Sequence, residues 1–258
     1  MTRTVFLAWQ DPQKRLWYPI GRLTSDGRTF RFVYTQGASL ARAANRFVPL
    51  AAFPDLHRTY EADRLFPLFA NRLLPASRPE FAQFLRWLNI GDALPAPLAL
   101  LARSGGARET DNLEVFPCPE PAVDNTYEMA FFVRGLRHMA PVATERASRL
   151  EVGERLRVML DLENDFDHDA MALRTADVEG PLLLGYLPRY LSGELVRLMV
   201  ATHKTPEVTV SQVNLDAPLQ FRVLCQLRID WGADFQPFTS EEYQPLASSP
   251  ESAALEVA

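Results

Sequence analysis

The chain has 258 residues, is 47% hydrophobic and 23% charged, and carries a formal net charge of −5. That length suits one large domain or two ordinary ones, and the acidic balance argues against a protein that coats nucleic acid by charge alone. Charged residues cut every long apolar run before the roughly 18 residues that a membrane span needs. The apolar run at the N-terminus is too short for a signal peptide, so we predict a cytoplasmic protein.

The N-terminal half predicts a small antiparallel sheet followed by helices. Strands are expected at Thr4–Trp9, Trp17–Leu23 and Thr29–Tyr34. The third run alternates apolar and polar residues with period two, which is typical of a half-buried strand. A serine at 77 with Glu80 three positions on has the pattern of a capping box. The predicted helical segments are Ser39–Phe47, Asp63–Leu74, Phe81–Leu88 and Leu94–Ala102.

The segment LFPLFANRLLP, Leu65–Pro75, carries a phenylalanine and an N-LLP pattern. With the strands before it, this segment resembles the first N-terminal subdomain of HipA-type kinases, and the resemblance covers residues 3–118. No kinase core follows, since a Gly-rich phosphate loop and HRD- or DFG-like motifs are missing from the sequence. The resemblance therefore implies a non-catalytic, partner-binding module, which we assign to residues 1–118.

The C-terminal half is organised around an acidic stretch between apolar runs. A Pro-rich linker is expected at 119–126, a domain at 127–238 and a disordered tail at 239–258. Within the domain we predict a strand at Phe131–Met139, a polar turn at Glu163–Asp169, a further strand and a helix from about Leu191. The runs Glu207–Leu215 and Leu219–Ile229 are predicted to be the closing strands.

Three separated motifs in this half resemble the HIRAN family, in its order and spacing. They are VRGLRH at Val133–His138, NDFDHDA at Asn164–Ala170 and GYLPRYL at Gly185–Leu191. HIRAN modules occur with helicases and nucleases or alone in bacteria, and they are OB-like β-barrels with helical additions. The predicted fold is therefore α+β with two domains, a HipA-like sheet-and-helix module and a HIRAN-like barrel with one or two helices.

The HIRAN resemblance implies a pocket for single-stranded DNA that receives a free 3′ end. A terminal 3′-hydroxyl donates a hydrogen bond that a mid-strand phosphodiester cannot, and the carboxylate of Asp167, at the family's aspartate, is a strong acceptor. Phe166 replaces the usual tyrosine and keeps a stacking face without the hydroxyl. The implied contacts are phosphate binding by Arg137 and Arg189, stacking by His138, Phe166 and Tyr186, and hydrogen bonding by Asn164 and Asp167.

Each of these residues also has a purely structural interpretation. Asn164 and Asp167 can form an Asx turn between strands, and Phe166 and Tyr186 can pack in the core or on the rim of the barrel. Gly185 can serve a close backbone approach rather than a ligand. The surrounding acidic residues repel phosphate, so any DNA affinity should be weak and salt-sensitive.

A metal site is the rival chemistry. Asp165, Asp167 and Asp169 imitate the opening of a calcium loop, but Ala170 stands where the loop needs glycine and Ala176 where it needs a bidentate glutamate. A looser magnesium site for a nuclease would need a further carboxylate such as Glu128 or Asp230. The histidines form no HExxH or similar ligand pair, so no zinc site and no cofactor are predicted.

Three functions therefore remain open from the sequence. Non-catalytic binding of single-stranded DNA, or of a DNA 3′ end, is favoured, in defence, repair or mobile-element biology. The first alternative is a protein-interaction subunit of a toxin–antitoxin or effector complex, docking through the N-terminal module. The second is a metal-dependent nuclease. Cys118 and Cys225 lie far apart without a neighbouring ligand and are predicted to be reduced thiols.

Overall fold

The computed structural model describes residues 4–44, 47–91, 95–108 and 110–247, and the chain divides into two compact units. The first unit combines residues up to Arg78 with Pro95–Cys118 and the segment from Phe238 onward. The second unit combines Pro79–Leu94 with Pro119–Pro237. Across the described ranges, no helix is long and apolar enough to cross a membrane.

Eleven strands and six α-helices are assigned in the described ranges. The strands are β1 Thr4–Gln10, β2 Trp17–Ser25, β3 Phe30–Tyr34, β4 Tyr60–Ala62, β5 Leu113–Pro117, β6 Thr126–Phe132, β7 Arg155–Leu160, β8 Met171–Thr175, β9 Leu183–Tyr186, β10 Glu207–Val213 and β11 Val223–Asp230. The helices are α1 Gln36–Ala43, α2 Pro67–Ala70, α3 Phe81–Trp87, α4 Pro97–Ser104, α5 Pro141–Ala147 and α6 Arg189–Thr202.

The first unit is built on an antiparallel sheet in the order β4-β3-β2-β1-β5. Its first three strands confirm the predicted ones. The predicted helix at Asp63–Leu74 is reduced to the short α2, with Pro67 in its first turn, where proline is tolerated. The capping-box prediction is wrong, because α3 follows Glu80 without any side-chain cap.

The segment from Phe238 onward packs against the sheet of the first unit, to which it belongs. Phe238 lies against Phe6 with ring centroids 5.1 Å apart, and the backbone N–H of Leu246 donates to the Tyr34 carbonyl at 2.9 Å. Residues 239–247 were predicted to belong to a disordered tail, but here the Tyr243 ring packs on Phe6 and the backbone of Gln244 and Leu246 is hydrogen-bonded. The rest of that predicted tail, 248–258, lies outside the described residues.

The second unit is an antiparallel sheet in the order β6-β11-β10-β7-β8-β9. Its two edges meet just beyond β6, where Arg134 and Tyr186 exchange both backbone N–H···O bonds at 2.9 Å. The sheet is curled into a half-barrel whose edges are joined by this bridge, in partial agreement with the predicted OB-like β-barrel. Its core includes Leu191, Leu195 and Leu198 from one face of α6. Cys225 is a free thiol in this core, and burial raises its pKa.

Helix α3 belongs to this second unit, although the sequence placed it in the N-terminal module. The side chains of Gln83 and Trp87 donate to the two carboxylate oxygens of Asp216 at 2.7 and 3.0 Å. Asn214 donates to the Trp87 carbonyl at 3.0 Å, and Phe221 stacks against the Trp87 ring. The second unit thus includes a helix from outside the predicted 127–238 range.

The strand predicted at Phe131–Met139 is shorter in the structure. Strand β6 ends at Phe132, and a 3-10 turn covers Leu136–His138. Gly135 before that turn has a φ of +76°, a conformation that favours glycine and breaks the strand. Helix α5 and strand β7 then intervene, so the acidic stretch connects β7 to β8.

Candidate functional site

A loop from Asp161 to Ala170 joins β7 to β8 and carries the acidic stretch. The two ends of the loop are joined by the Asp161 N–H, which donates to the Ala170 carbonyl at 2.8 Å. A second bond closes its last turn, where the Ala170 N–H donates to the Asp167 carbonyl at 3.0 Å. These bonds satisfy backbone groups that the strands no longer pair. The loop is therefore a defined scaffold for the side chains that it presents.

Asn164 organises the inside of this loop. Its Oδ1 accepts hydrogen bonds from the backbone N–H groups of Phe166 and Asp167, both at 3.1 Å, and its Nδ2 donates to Asp161 Oδ2 at 3.2 Å. The predicted Asx turn is confirmed. The turn also orients the site, because it fixes the backbone of two predicted binding residues, 166 and 167.

Asp161 is the site residue that the sequence analysis passed over as part of the acidic surroundings. Its Oδ2 accepts from Asn164 and also from the hydroxyl of Tyr186 at 2.9 Å. These two bonds, that of Asn164 being the larger effect, lower the pKa of the Asp161 carboxyl. The sequence did offer a signal for this role, because Asp161 directly follows an apolar run and precedes Asn164 by three residues.

Asp167 is partly withdrawn from solvent beside the start of α6. Its Oδ1 accepts from the Asp169 N–H at 3.2 Å, and its Oδ2 lies 3.7 Å from Arg189 Nε. The Asp167 side chain is 17% exposed and that of Arg189 33%. Burial raises the pKa of the Asp167 carboxyl, and the Arg189 charge opposes this rise without cancelling it. The carboxylate therefore retains acceptor capacity that the protein leaves incompletely used.

Phe166 is 60% exposed at the tip of the turn, so its ring does not pack in the core. Leu162, in the same loop, is 78% exposed. Tyr186 is half-buried, with its ring on β9 and its hydroxyl bonded to Asp161. Burial is the main cause that raises the pKa of the Tyr186 hydroxyl, followed by the Asp161 bond. The exposed ring of Phe166 thus lies in the same loop as the hydrogen-bonded group of Asp161, Asn164 and Tyr186.

Gly185 sets the position of Tyr186. It has a φ of +141°, and a methyl group at its Cα would overlap the Arg134 carbonyl oxygen and lie 2.9 Å from Val133 Cγ1. The predicted close backbone approach is confirmed. Because this approach makes the Arg134–Tyr186 bridge, the glycine holds the half-barrel's two edges together next to the loop.

Arg137 and His138 lie on the exposed 3-10 turn that follows that bridge. Arg137 Nε donates to His138 Nε2 at 2.9 Å. In the described part of the chain, neither side chain makes a hydrogen bond or ion pair to the loop. The structure thus links Asn164, Phe166, Asp167 and Arg189 through hydrogen bonds and an ion pair, and links Tyr186 to them through Asp161. The Arg137–His138 pair is not bonded to this group in the described ranges.

The rival metal chemistry finds no ligand cluster in the described ranges. No group of three or more histidine, cysteine, aspartate or glutamate side chains there is arranged to hold a metal ion. The side chain of Asp167 faces Arg189, while Asp165 and Asp169 are exposed to solvent.

A family model matches the part of the chain that carries this loop. The family model of the HIRAN domain matches residues 127–228, which confirms that part of the predicted resemblance and includes all seven predicted binding residues. The HipA-type resemblance of residues 3–118 lies outside this match and stays a prediction. No curated protein matches the chain.

Two solved structures are similar to part of the chain. A crystal structure of a protein from Lactobacillus plantarum, the northeast structural genomics consortium target LpR91B, is 19% identical over 39% of this chain and 95% of its own, with a TM-score of 0.31. The crystal structure of the HIRAN domain of human HLTF is 19% identical over 42% of this chain and 80% of its own, with a TM-score of 0.30.

Proposed function

We propose that the HIRAN domain at residues 127–228 binds single-stranded DNA without cleaving it, and that Asp167 accepts a hydrogen bond from the free 3′-hydroxyl. The observation that carries this proposal is the state of the Asp167 carboxylate. It is largely shielded, held by one backbone N–H, and 3.7 Å from the Arg189 guanidinium. A hydroxyl donor entering the loop would complete the hydrogen bonding of a carboxylate that burial has partly stripped of water.

The surrounding groups suit the remainder of a nucleotide end. The Phe166 ring is free to stack on a terminal base, a contact that is worth about 1–3 kcal/mol per base. Arg189 beside Asp167 supplies a cation for the neighbouring phosphate. Arg137 is exposed and available for a second phosphate contact. This combination of one acceptor, one ring and flanking arginines favours an end over the middle of a strand.

The local charge sets the conditions under which binding is measurable. The proposed pocket is the surface formed by Phe166, Asp167 and Arg189. Asp165 and Asp169 are exposed beside it and repel phosphate, and the whole chain is acidic. We therefore expect weak binding that is strongest at low ionic strength, where the few arginine contacts are least screened.

Acidification should remove the preference for a 3′-hydroxyl end, and it should do so at a pH above the one at which an ordinary aspartate is protonated. Burial raises the pKa of Asp167, so in the free domain the charged acceptor is lost when pH falls through that raised value, above the ordinary value of about 3.9. We expect an oligonucleotide with a 3′-hydroxyl to bind better than one with a 2′,3′-dideoxy end at neutral pH. The ratio of the two dissociation constants, measured by anisotropy across the pH range, should approach one on acidification.

The dideoxy oligonucleotide is the control in that titration. A pH effect on the phosphate contacts acts on both oligonucleotides, so it cancels in the ratio. A ratio that stays constant down to acidic pH would contradict hydrogen bonding to an ionised Asp167. A ratio of one at every pH would contradict end recognition itself.

A further inference from the structure

The outer face of the half-barrel beside the pocket carries two arginines directly opposite each other. Arg157 on β7 is paired in register with Arg174 on β8, and both side chains point away from the core that Leu156 and Leu173 line. Directly opposed side chains on neighbouring strands have Cβ atoms about 4.5–5.5 Å apart, and like charges there are destabilising. The free protein therefore holds an unfavourable pair that a bound anion would relieve.

Among the described residues, no carboxylate forms an ion pair with either arginine. In the part of the chain that the structure describes, neither arginine forms an ion pair, and the Arg174 Nη1 donates only to the Thr175 carbonyl at 3.1 Å. The nearest carboxylate along the β7–β10 register, that of Glu207, is bonded to Arg155 instead. Most other arginines of the second unit have acidic partners, as Arg146, Arg149 and Arg228 do.

The same face leads directly to the pocket. The next outward row along the strands is Met159, Ala172 and Tyr186, about 7 Å further on at two residues of rise. Two residues after Met159, directly beyond the end of β7, Asp161 accepts from the Tyr186 hydroxyl. Met159 is 42% exposed, so apolar surface lies between the two arginines and the pocket.

We propose that Arg157 and Arg174 bind the phosphates of the single DNA strand whose 3′ end lies at Asp167, and that this face guides the strand away from the pocket. The proposal rests on the proposed function. Cations that follow the backbone, alternating with apolar surface for bases, are the arrangement that single-strand binding requires. Arginine suits it, because its planar guanidinium binds phosphate through two parallel N–H bonds.

The test compares the double variant Arg157→Gln/Arg174→Gln with the wild type, in the full chain. For an oligonucleotide of about 10 nucleotides, within the site size of one OB-type fold, we expect affinity to fall on the order of tenfold at low salt. The slope of log K against log salt should decrease by about 0.7 for each arginine removed. Binding of a dinucleotide with a 3′-hydroxyl should stay unchanged, because it reaches only the pocket.

The matched control is Arg149→Gln/Arg228→Gln, which removes the same charge from two arginines paired with Glu145 and Asp124. Equal losses in both double variants, or no loss in Arg157→Gln/Arg174→Gln, would overturn the proposed strand path. The ratio of the dissociation constants for 3′-hydroxyl and 3′-phosphate ends distinguishes a failure of the strand path from a failure of the proposed function. A wild type without end preference contradicts end recognition, whereas an intact preference with unchanged salt slope contradicts only the arginine face.

Discussion

Replacing Asp167 by asparagine is expected to abolish discrimination between a 3′-hydroxyl and a 3′-phosphate. The substitution keeps the shape of the side chain and an oxygen for the Asp169 N–H, but it removes the charged acceptor beside Arg189. A hydrogen bond to a charged group is worth about 1.5–3 kcal/mol, so affinity for the 3′-hydroxyl end should fall about 10- to 100-fold. Fluorescence anisotropy of both oligonucleotides with wild type and variant measures the change.

Two controls distinguish this loss from misfolding or from a change in net charge. Asp165→Asn removes the same charge from an exposed neighbour and should keep the end preference. The raised pKa of Asp167 means that its contribution to stability is present below the unfolded pKa and is lost as pH rises through the folded pKa. Asp167→Asn should therefore not lower the free energy of unfolding at neutral pH. End preference that survives in Asp167→Asn would show that another group reads the hydroxyl.

Gly185→Ala is expected to be the most destabilising single-methyl change in the second unit. Its φ of +141° is unfavourable for any side chain, and the added carbon would overlap the backbone carbonyl oxygen of Arg134, which cannot move without breaking the Arg134–Tyr186 bridge. Strain and overpacking each cost about 1–3 kcal/mol, so a loss of about 3 kcal/mol or more is expected in denaturant unfolding. Any remaining folded protein should have a displaced Tyr186.

Gly153→Ala separates backbone strain from overlap. Gly153 has a φ of +88°, but an added carbon there meets nothing within 4 Å. Only the conformational cost, about 1 kcal/mol, should appear. If the two substitutions cost the same, the close approach between Gly185 and Arg134 contributes nothing to the stability of the half-barrel.

Local patterns predicted the strands well where alternation or β-branched residues dominated. Strands β1 to β3, β10 and β11 fall within predicted runs; burial alternates along β10 and the second half of β11, whereas β1 has four consecutive buried residues. Strand β7 and helix α5 were missed, because RLRVML carries exposed apolar residues in its second half and PVATERA is a short helix buried at two alanines. The position of α3 could not follow from the sequence, since its partner Asp216 lies more than 120 residues away.

In the site, too, the contacts between sequence neighbours could be predicted, whereas those between distant elements could not. The Asn164 turn and the close approach at Gly185 follow from residue type and neighbours, and both were predicted. The bond from Tyr186 to Asp161 joins two elements through strand pairing, and no spacing in the sequence encodes it. The proximity of Arg189 to Asp167 likewise depends on where α6 begins relative to the loop.

The most direct test is the anisotropy of a short labelled single strand at low salt, with the wild-type chain and either a 3′-hydroxyl or a 3′-phosphate end. The acceptor at Asp167 predicts tighter binding of the hydroxyl, because the phosphate lacks the donor and brings a negative charge to the carboxylate. Equal binding of both ends would contradict recognition of the 3′-hydroxyl. Absence of binding to either would contradict the nucleic-acid function and favour a protein partner.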